Sequence, residues 1–233
     1  MIEILPAIMP DSIRDWEQKA LYVKGLTQWA QVDVMDGQFV PSVSWPYIHG
    51  AEREFEALIH EEQGVPLWDF FNYEVDLMVK KPERVIEDWI ALGMQRIIVH
   101  IESTDRMQDI IDLVKEKTGE KGSTWRVELG IAINTTTALE TIEPYVDQVD
   151  CIQCMGIEKI GYQGQAFDER VLTHLFTLRE KFPDSIISID GSVNETTAPK
   201  LIAGGANRLV MGSALCNAEN PEAVVRAIKA NNV

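Results

Sequence analysis

The chain is organised around an apolar run that stops in an Asp-Gly turn, Gln31-Val32-Asp33-Val34-Met35-Asp36-Gly37. Side chains alternate along a strand, so Val32 and Val34 share one face while Asp33 and Met35 point to the other. Burying a carboxylate costs free energy unless the group is paired or used. The run therefore predicts a buried strand that presents Asp33 near its carboxyl end.

Three further segments have the same form: 71–79 with Asp76, 149–155, and 185–190 followed by Gly191. Each is a short apolar run that carries an aspartate or ends in a methionine. We expect these strand ends to converge on one site.

The whole chain repeats a strand-then-helix unit eight times. The predicted strands are 2–9, 29–35, 71–79, 96–101, 125–133, 149–155, 185–190 and 208–211. Asp11 is the expected N-cap of the first helix, which runs to about residue 26, and the second helix runs to about residue 63. The remaining helices are predicted at 82–93, 103–117, 137–146, 168–181, 195–203 and 221–230.

Eight even units with uninterrupted apolar strands favour a closed parallel sheet, because helices cover the outer face of every strand. We predict an α/β fold, a (β/α)₈ TIM barrel formed as a single domain by residues 1–233. A doubly wound open sheet is the alternative, but it does not require eight such units. In a barrel, catalytic residues lie at the carboxyl ends of strands, where Asp33, Asp76, Met155 and Asp190 fall.

Composition narrows the classes of partner. The 233 residues carry a formal net charge of -16, which argues against nucleic acid and anionic membrane surfaces. A phosphorylated small molecule is compatible with that charge, because backbone amides supply local positive potential. No apolar run reaches the roughly 18 residues needed to span a bilayer.

The cysteines indicate a reduced, cytoplasmic protein. There are three, an odd number, and the sequence does not begin with a basic and then apolar leader. Cys151 and Cys154 lie three apart on a strand, which places their thiols on opposite faces, and no second pair accompanies them. We interpret both as structural rather than as a redox or zinc pair.

Three carboxylates at neighbouring strand ends would repel one another unless a cation, shared protons or a substrate relieves them. That arrangement indicates a catalytic or ligand-binding site. The alternative is that Asp33 and Asp190 cap loops or pair with basic residues.

Glycines follow three consecutive strands, in Gly161-Tyr162-Gln163-Gly164, Gly191-Ser192 and Gly212-Ser213. Barrels commonly bind a phosphate with exposed amides of the loops after strands seven and eight, so the three together favour a phosphate site. Lys159 is a candidate for an added charge from loop six. His100 is more simply a packed core histidine. By the same reasoning, the methionines near strand ends are gap-fillers.

These residues resemble ribulose-phosphate 3-epimerase over essentially the whole chain. The blocks are Val32 to Gly37 with Phe39-Val40-Pro41, Asp76-Leu77-Met78-Val79 with Pro82, Val99-His100-Ile101-Glu102, Met155 with 161–167, Asp190-Gly191-Ser192-Val193-Asn194, and Gly212-Ser213-Ala214. Barrels of the same superfamily that act as decarboxylases or hexulose-phosphate synthases carry a lysine in the strand-two motif, which this chain lacks.

The resemblance implies interconversion of ribulose 5-phosphate and xylulose 5-phosphate by proton removal and return at carbon 3. Asp33 and Asp190 would be the acid–base pair, with pKa values tuned by burial and by neighbouring groups. The resemblance also implies a homo-oligomer, with 39–47 as a candidate contact or site-wall segment. The implied substrate-binding residues, with 161–165 acting as a lid, are Met35, Met78, Met155, Gly161, Tyr162, Gln163, Gly164, Gly191, Ser192, Gly212 and Ser213.

Departures from the family pattern fall at its metal site. The family binds a divalent metal with two histidines and two aspartates, and Gln31 and Asp76 stand at the histidine positions. Gln31, Asp33, Asp76 and Asp190 would form an all-oxygen cluster, which suits Mg²⁺, Mn²⁺ or Ca²⁺ better than Zn²⁺. The alternative is that no cofactor is bound.

Other departures affect the substrate. Ala7 replaces the family's strand-one serine, Ser192 replaces the second glycine after strand seven, and loop six, 156–160, lacks the usual proline. The connection from Gly37 to Asp76 is also longer than is typical. Two alternatives to the epimerase stay open: a sugar-phosphate-binding barrel without turnover, and an epimerase or isomerase for a different phosphosugar.

Overall fold

Eight parallel strands close into a barrel in which each strand pairs with the next and the eighth pairs with the first. The computed structural model describes residues 2–121, 123, 126–162 and 164–230. The predicted (β/α)₈ barrel is confirmed, and the open sheet is wrong. The strands are β1 Glu3–Ile8, β2 Trp29–Met35, β3 Asn72–Met78, β4 Arg96–His100, β5 Glu128–Ile133, β6 Cys151–Met155, β7 Ile186–Asp190 and β8 Arg208–Met211.

Helices cover the outside of the barrel. They are α1 Ile13–Val23, α2 Glu52–Ile59, α3 Ile86–Ala91, α4 Met107–Thr118, α5 Arg170–Lys181, α6 Ala198–Ala203, α7 Ser213–Cys216 and α8 Pro221–Ala230. Short 3₁₀ turns lie at Pro82–Arg84, Ile101–Ser103, Leu139–Thr141 and Glu143–Gln148. The short helix α7 was not predicted.

The first helix shows why a predicted boundary was wrong. Ser12, not Asp11, is the N-cap of α1, because its Oγ accepts a hydrogen bond from the Asp15 amide at 3.1 Å. The Asp11 amide donates back to Asp15 Oδ2 at 2.9 Å. The Asp15 side chain thus bonds the amide one residue before the N-cap, rather than that of Ser12 as in a capping box, and the two bonds together fix the start of the helix.

Two other predicted helices differ from the structure. The segment 137–146 forms 3₁₀ turns, since Pro144 has no N–H to donate to a continuous α-helix. The helix predicted from residue 195 begins at Ala198. The Asn194 side chain accepts from the amides of Thr196 and Thr197 and so holds a turn there instead.

The main hydrophobic core lies between the barrel and the helices. Val32 and Val34 belong to it, as their predicted face requires, together with the fully buried indoles of Trp16, Trp45 and Trp89. This shell holds the strands rigidly, so side chains on the inner face are presented from a fixed scaffold.

The amino-terminal half of the barrel interior is charged. Arg96 is 1% exposed and contacts Glu74 Oε2 at 2.7 Å and Glu128 Oε2 at 2.6 Å. The Trp29 ring lies 4.0 Å from its guanidinium carbon. This network fills the barrel at the amino-terminal ends of the strands, below the site. It was not predicted from the sequence.

The cysteines are structural in character. Cys151 packs inside the barrel and Cys154 in the outer core, on opposite faces of β6. Burial raises the pKa of both thiols to about 12. Among the residues described, no helix is both long and apolar enough to cross a membrane.

Candidate active site

Three aspartates converge at the carboxyl ends of the strands. Asp33 on β2, Asp76 on β3 and Asp190 on β7 each present a carboxylate oxygen within 4.8 Å of the other two. Asp33 and Asp76 are register partners in neighbouring strands. The structure therefore brings the three predicted carboxylates together.

Gln31 links two of these carboxylates. Its Nε2 donates to Asp33 Oδ1 and to Asp190 Oδ2, both at 2.8 Å. The side chain is fully buried, and its Oε1 has no hydrogen-bond partner within the described part of the chain. Gln31 thus presents its nitrogen, not its oxygen, to the cluster.

The third carboxylate has a different pair of partners. His100 Nε2 lies 3.1 Å from Asp76 Oδ1, and Gln153 Nε2 donates to Asp76 Oδ2 at 3.2 Å. His100 is buried, as predicted for a core histidine, but its partner belongs to the site. Gln153 was not predicted as a site residue. The alternation of Cys151, Gln153 and Met155 along β6 places it on Met155's face and could have revealed it.

Burial and mutual repulsion change the acidity of the cluster. Burial raises the pKa of Asp33 well above its ordinary value, and the charges of Asp190 and Asp76 raise it further. Burial and the charge of Asp76 raise the pKa of Asp190 to about 7. Burial lowers the pKa of His100, but the Asp76 carboxylate outweighs this effect, so its net shift is upward. The site therefore retains protons at pH values where ordinary aspartates have lost them.

A cavity of about 290 Å³ opens above the cluster. Asp33 and Asp190 both line it, and so do most of the predicted substrate-binding residues. Met35 packs beside the cavity with Met78 and Met155, and Gln163 lies outside the described residues. The predicted residues that line the cavity are Asp33, Met78, Met155, Gly161, Tyr162, Gly164, Asp190, Gly191, Ser192, Gly212 and Ser213.

The loop after β2 packs behind the methionines of the site. Asp36 accepts from the amides of Gln38 and Phe39 and, on its other oxygen, from the Lys80 amide after β3. The Phe39 ring then lies 5.4 Å from the His100 ring, and Val40 packs with the methionines. The start of the predicted segment 39–47 therefore packs against the methionines that line the cavity, and is not itself among the lining residues.

The glycine loops approach one another closely. Gly191 has a φ of 104° and Ser192 a φ of 54°, so the loop after β7 turns through left-handed backbone. A Cβ at Gly156 would lie 2.2 Å from the Gly191 oxygen. Together with α7, which begins at Ser213 after β8, this is where barrels commonly bind phosphate. Lys159, the candidate for an added charge, does not line this cavity and instead lines a second one with Glu158 and Arg170.

The donor set fits a divalent cation. Three carboxylates with converging oxygens are the hard ligands that Mg²⁺ and Mn²⁺ prefer. The fourth predicted ligand differs, because Gln31 would have to turn its amide before its buried, unpartnered oxygen could face an ion. The cluster could therefore hold a metal through Asp33, Asp76 and Asp190.

Comparison with known proteins matches the chain to one protein family over nearly its full length. A sequence model of the "Ribulose-phosphate 3 epimerase family" matches residues 3–216. The ribulose-phosphate 3-epimerase of Bacillus subtilis is 30% identical, covering 98% of this chain and 99% of that protein. The chloroplastic ribulose-5-phosphate-3-epimerase of Arabidopsis thaliana is 33% identical, covering 91% and 70%. The ribulose-phosphate 3-epimerase of Schizosaccharomyces pombe is 29% identical, covering 97% and 92%.

Solved structures support the fold. A 3-hexulose-6-phosphate synthase superimposes with a TM-score of 0.65 at 16% identity and covers 100% of both chains. The 3-keto-L-gulonate-6-phosphate decarboxylase of Vibrio cholerae gives a TM-score of 0.65 at 14% identity, covering 99% of this chain and 97% of that one. At these identities the likeness establishes the barrel architecture alone.

Proposed function

Because the chain belongs to the ribulose-phosphate 3-epimerase family, we propose that it interconverts ribulose 5-phosphate and xylulose 5-phosphate by moving a proton at carbon 3. The observation that carries this proposal is the placement of Asp33 and Asp190. Their strands, β2 and β7, lie on different sides of one cavity, whose rim is formed by the glycine loops.

Inversion at carbon 3 needs two acids, one for each face of the carbon. In the proposed reaction one aspartate removes the proton and the other returns a proton to the opposite face. A general acid–base group works best when its pKa lies near the working pH, and Asp190 has a pKa of about 7. The raised pKa of Asp33 allows the two residues to exchange roles in the reverse direction.

A divalent cation, Mg²⁺ or Mn²⁺ rather than Zn²⁺, is proposed to be held by Asp33, Asp76 and Asp190. When bound, it would supply positive charge that stabilises the enediolate oxygens. The all-oxygen donor set supports this choice. Mn²⁺ soaking tests it, because an anomalous peak among these carboxylates supports the site and its absence argues against it.

The proposed substrate is a small phosphorylated sugar. Backbone amides of the loops after β7 and β8 would hold its phosphate, which explains how a chain with a net charge of -16 binds an anion. The buried methionines beside the cavity, Met35, Met78 and Met155, would exclude water from the reacting carbon.

The direct test is an assay for xylulose 5-phosphate formed from ribulose 5-phosphate. Asp33→Asn and Asp190→Asn should each lower kcat by about 100-fold or more, the usual contribution of a positioned acid or base. If both variants retain turnover close to that of the unchanged protein, these residues are not the acid–base pair. If the unchanged protein binds the ligand without turnover, the protein is instead a binding barrel.

A second candidate substrate is a larger ketose phosphate. Ala7 brings no hydroxyl to the site, and it also lines an adjoining cavity of about 540 Å³ between α1 and α7. Met9, Gly161 and Tyr162 border both spaces. Comparing kcat/KM for pentulose 5-phosphates and hexulose 6-phosphates separates the two candidates.

We further propose that the protein is a cytoplasmic homo-oligomer. This rests on the family resemblance and on the reduced, buried character of Cys151 and Cys154. Light scattering during size-exclusion chromatography tests the assembly, and a mass of one 26.3 kDa chain would contradict it.

A further inference from the structure

We propose that Gln31 is a positioning residue that holds Asp33 and Asp190 in a fixed relationship across the barrel. This inference rests on the proposed epimerase function, in which those two carboxylates are the acid–base pair. It is carried by one contact geometry: a single side-chain amide donates to both carboxylates, each at 2.8 Å.

Nothing in the strand pairing holds these two aspartates together. β2 and β7 are not neighbours, since β1 and β8 lie between them in the closed sheet. The distance between the carboxylates therefore depends on rotation of the two aspartate side chains, which the rigid strands do not fix. A side chain that spans the interior removes that freedom.

Gln31 is also the sole side-chain hydrogen-bond partner of both carboxylates within residues 2–121, 123, 126–162 and 164–230. Asp76, the third member of the cluster, has separate partners in His100 and Gln153. The cluster thus consists of an acid pair with one amide and a third carboxylate with its own amide and imidazole.

The residue type suits this task. A primary amide has two N–H donors on one nitrogen, so it can serve two acceptors at once, and it carries no charge that would compete with the acids for protons. Leaving the buried Gln31 Oε1 without a partner is unfavourable. The two donated bonds are the interactions that offset this loss, so the orientation is set by the acid pair.

The consequence is specific to inversion. When one aspartate takes the carbon-3 proton, the C–H electron pair moves into the bond between carbons 2 and 3, and the carbonyl oxygen becomes an enediolate. Return of a solvent-derived proton by the same aspartate gives exchange without inversion. Inversion requires the second aspartate to give its proton to the opposite face, so it depends on the relationship that Gln31 fixes.

The test compares two rates in D₂O with saturating Mg²⁺, followed by NMR on ribulose 5-phosphate. One is deuterium incorporation at carbon 3 of the remaining ribulose 5-phosphate, and the other is formation of xylulose 5-phosphate. Gln31→Met keeps the side-chain length and removes both donors. We expect its inversion rate to fall at least tenfold more than its exchange rate. Equal losses, or no loss, would overturn the proposal.

Gln153→Met is the matched control, because it removes a buried amide that contacts Asp76 and not the acid pair. Its ratio of exchange to inversion should equal that of the unchanged protein. Thermal unfolding of both variants shows whether each is folded. A change of the ratio in Gln153→Met as large as that in Gln31→Met would assign the effect to loss of any buried amide.

A second measurement does not depend on turnover or on a folded Gln31 variant. In ¹⁵N-labelled protein with Mg²⁺, the two side-chain amide protons of Gln31 should exchange slowly with solvent. The chemical shifts of both protons should change in Asp190→Asn, and neither should change in Gln153→Met. Rapid exchange of these protons, with no change of their resonances in Asp190→Asn, would show that Gln31 does not bridge Asp33 and Asp190 by hydrogen bonds. A protein without turnover whose Gln31 amide is still protected would contradict the proposed function but not the hydrogen-bonded bridge between Asp33 and Asp190.

Discussion

Asp33 and Asp76 lie directly opposite one another in the β2–β3 register, with the carboxylates of both turned into the barrel. Two adjacent carboxylates with a third from β7 form a cluster that could hold a divalent cation. The charge, the packing and the loops around this pair each have measurable consequences.

The ligand types should determine metal preference. The double variant Gln31→His/Asp76→His replaces one carboxylate ligand by an imidazole and places a second imidazole beside the cluster, so it should raise the ratio of Zn²⁺ to Mn²⁺ affinity by about tenfold or more. Competition titration of the two ions measures this ratio. Gln153→His is the control, because that residue is not proposed as a ligand. An unchanged ratio in the double variant would contradict the proposal that the aspartate cluster holds a cation.

The buried Asp190 should make stability depend on pH. Its pKa rises from 3.8 to about 7 on folding, so the folded state binds the proton more tightly. Stability is therefore lost as pH rises between these values and is unaffected by this group below about pH 4. In protein kept free of divalent ions with a chelator, Asp190→Asn should be more stable than the unchanged protein by about 2 kcal/mol at pH 8, a value reduced for partial exposure, with no difference near pH 3.

Asp168 provides a control of opposite sign. Arg170 and Thr135 hold its carboxylate by hydrogen bonds and keep its pKa below the ordinary value. Asp168→Asn should therefore destabilise the protein at neutral pH, and the loss should shrink as the solution is acidified. Urea unfolding across the pH range measures both variants, and equal slopes against pH would contradict the account.

The ion pair below the site should behave as a unit. Arg96→Met leaves the fully buried Glu74 without its partner and should destabilise the protein by about 3 kcal/mol or more. Adding Glu74→Met removes the stranded charge and should recover most of that loss. Denaturant unfolding gives both values, and additive losses in the double variant would mean that the pair is not coupled.

Loop six can be tested with two glycines. Gly161 and Gly164 both have positive φ, at 85° and 72°. A Cβ at Gly161 would lie 2.9 Å from Val40, whereas a Cβ at Gly164 would meet no atom of the described residues within 4 Å. Gly161→Ala should displace the loop and raise the KM for ribulose 5-phosphate by about tenfold. Gly164→Ala carries the backbone strain without the clash and should have a smaller effect. Equal KM values would show that the contact with Val40 does not position the loop.

The repeating pattern was sufficient to predict the barrel, because strand alternation and helix periodicity are local properties of the sequence. It also placed β2 and β8 with their observed bounds. Helix ends were less accurate where side chains compete for backbone groups, as at Ser12 and Asn194.

The aspartates of the candidate site could be predicted from the sequence, but most of their hydrogen-bond partners could not. Strand-end position and the family resemblance pointed to Asp33, Asp76 and Asp190. Which way the Gln31 amide faces, and that Gln153 reaches Asp76, depend on distances across the barrel that alternation along one strand does not contain. The Glu74–Arg96 pair was missed because it depends on the register between the neighbouring strands β3 and β4, in which the two residues are partners.

Solvent exchange at carbon 3 tests the central claim most directly. Ribulose 5-phosphate is incubated in D₂O with the protein and Mg²⁺ or Mn²⁺ and followed by NMR. An acid–base pair of Asp33 and Asp190 predicts loss of the carbon-3 proton signal and appearance of xylulose 5-phosphate deuterated at carbon 3, and formation of this product should be abolished in Asp33→Asn. Retention of the carbon-3 proton with every divalent ion tried would contradict it.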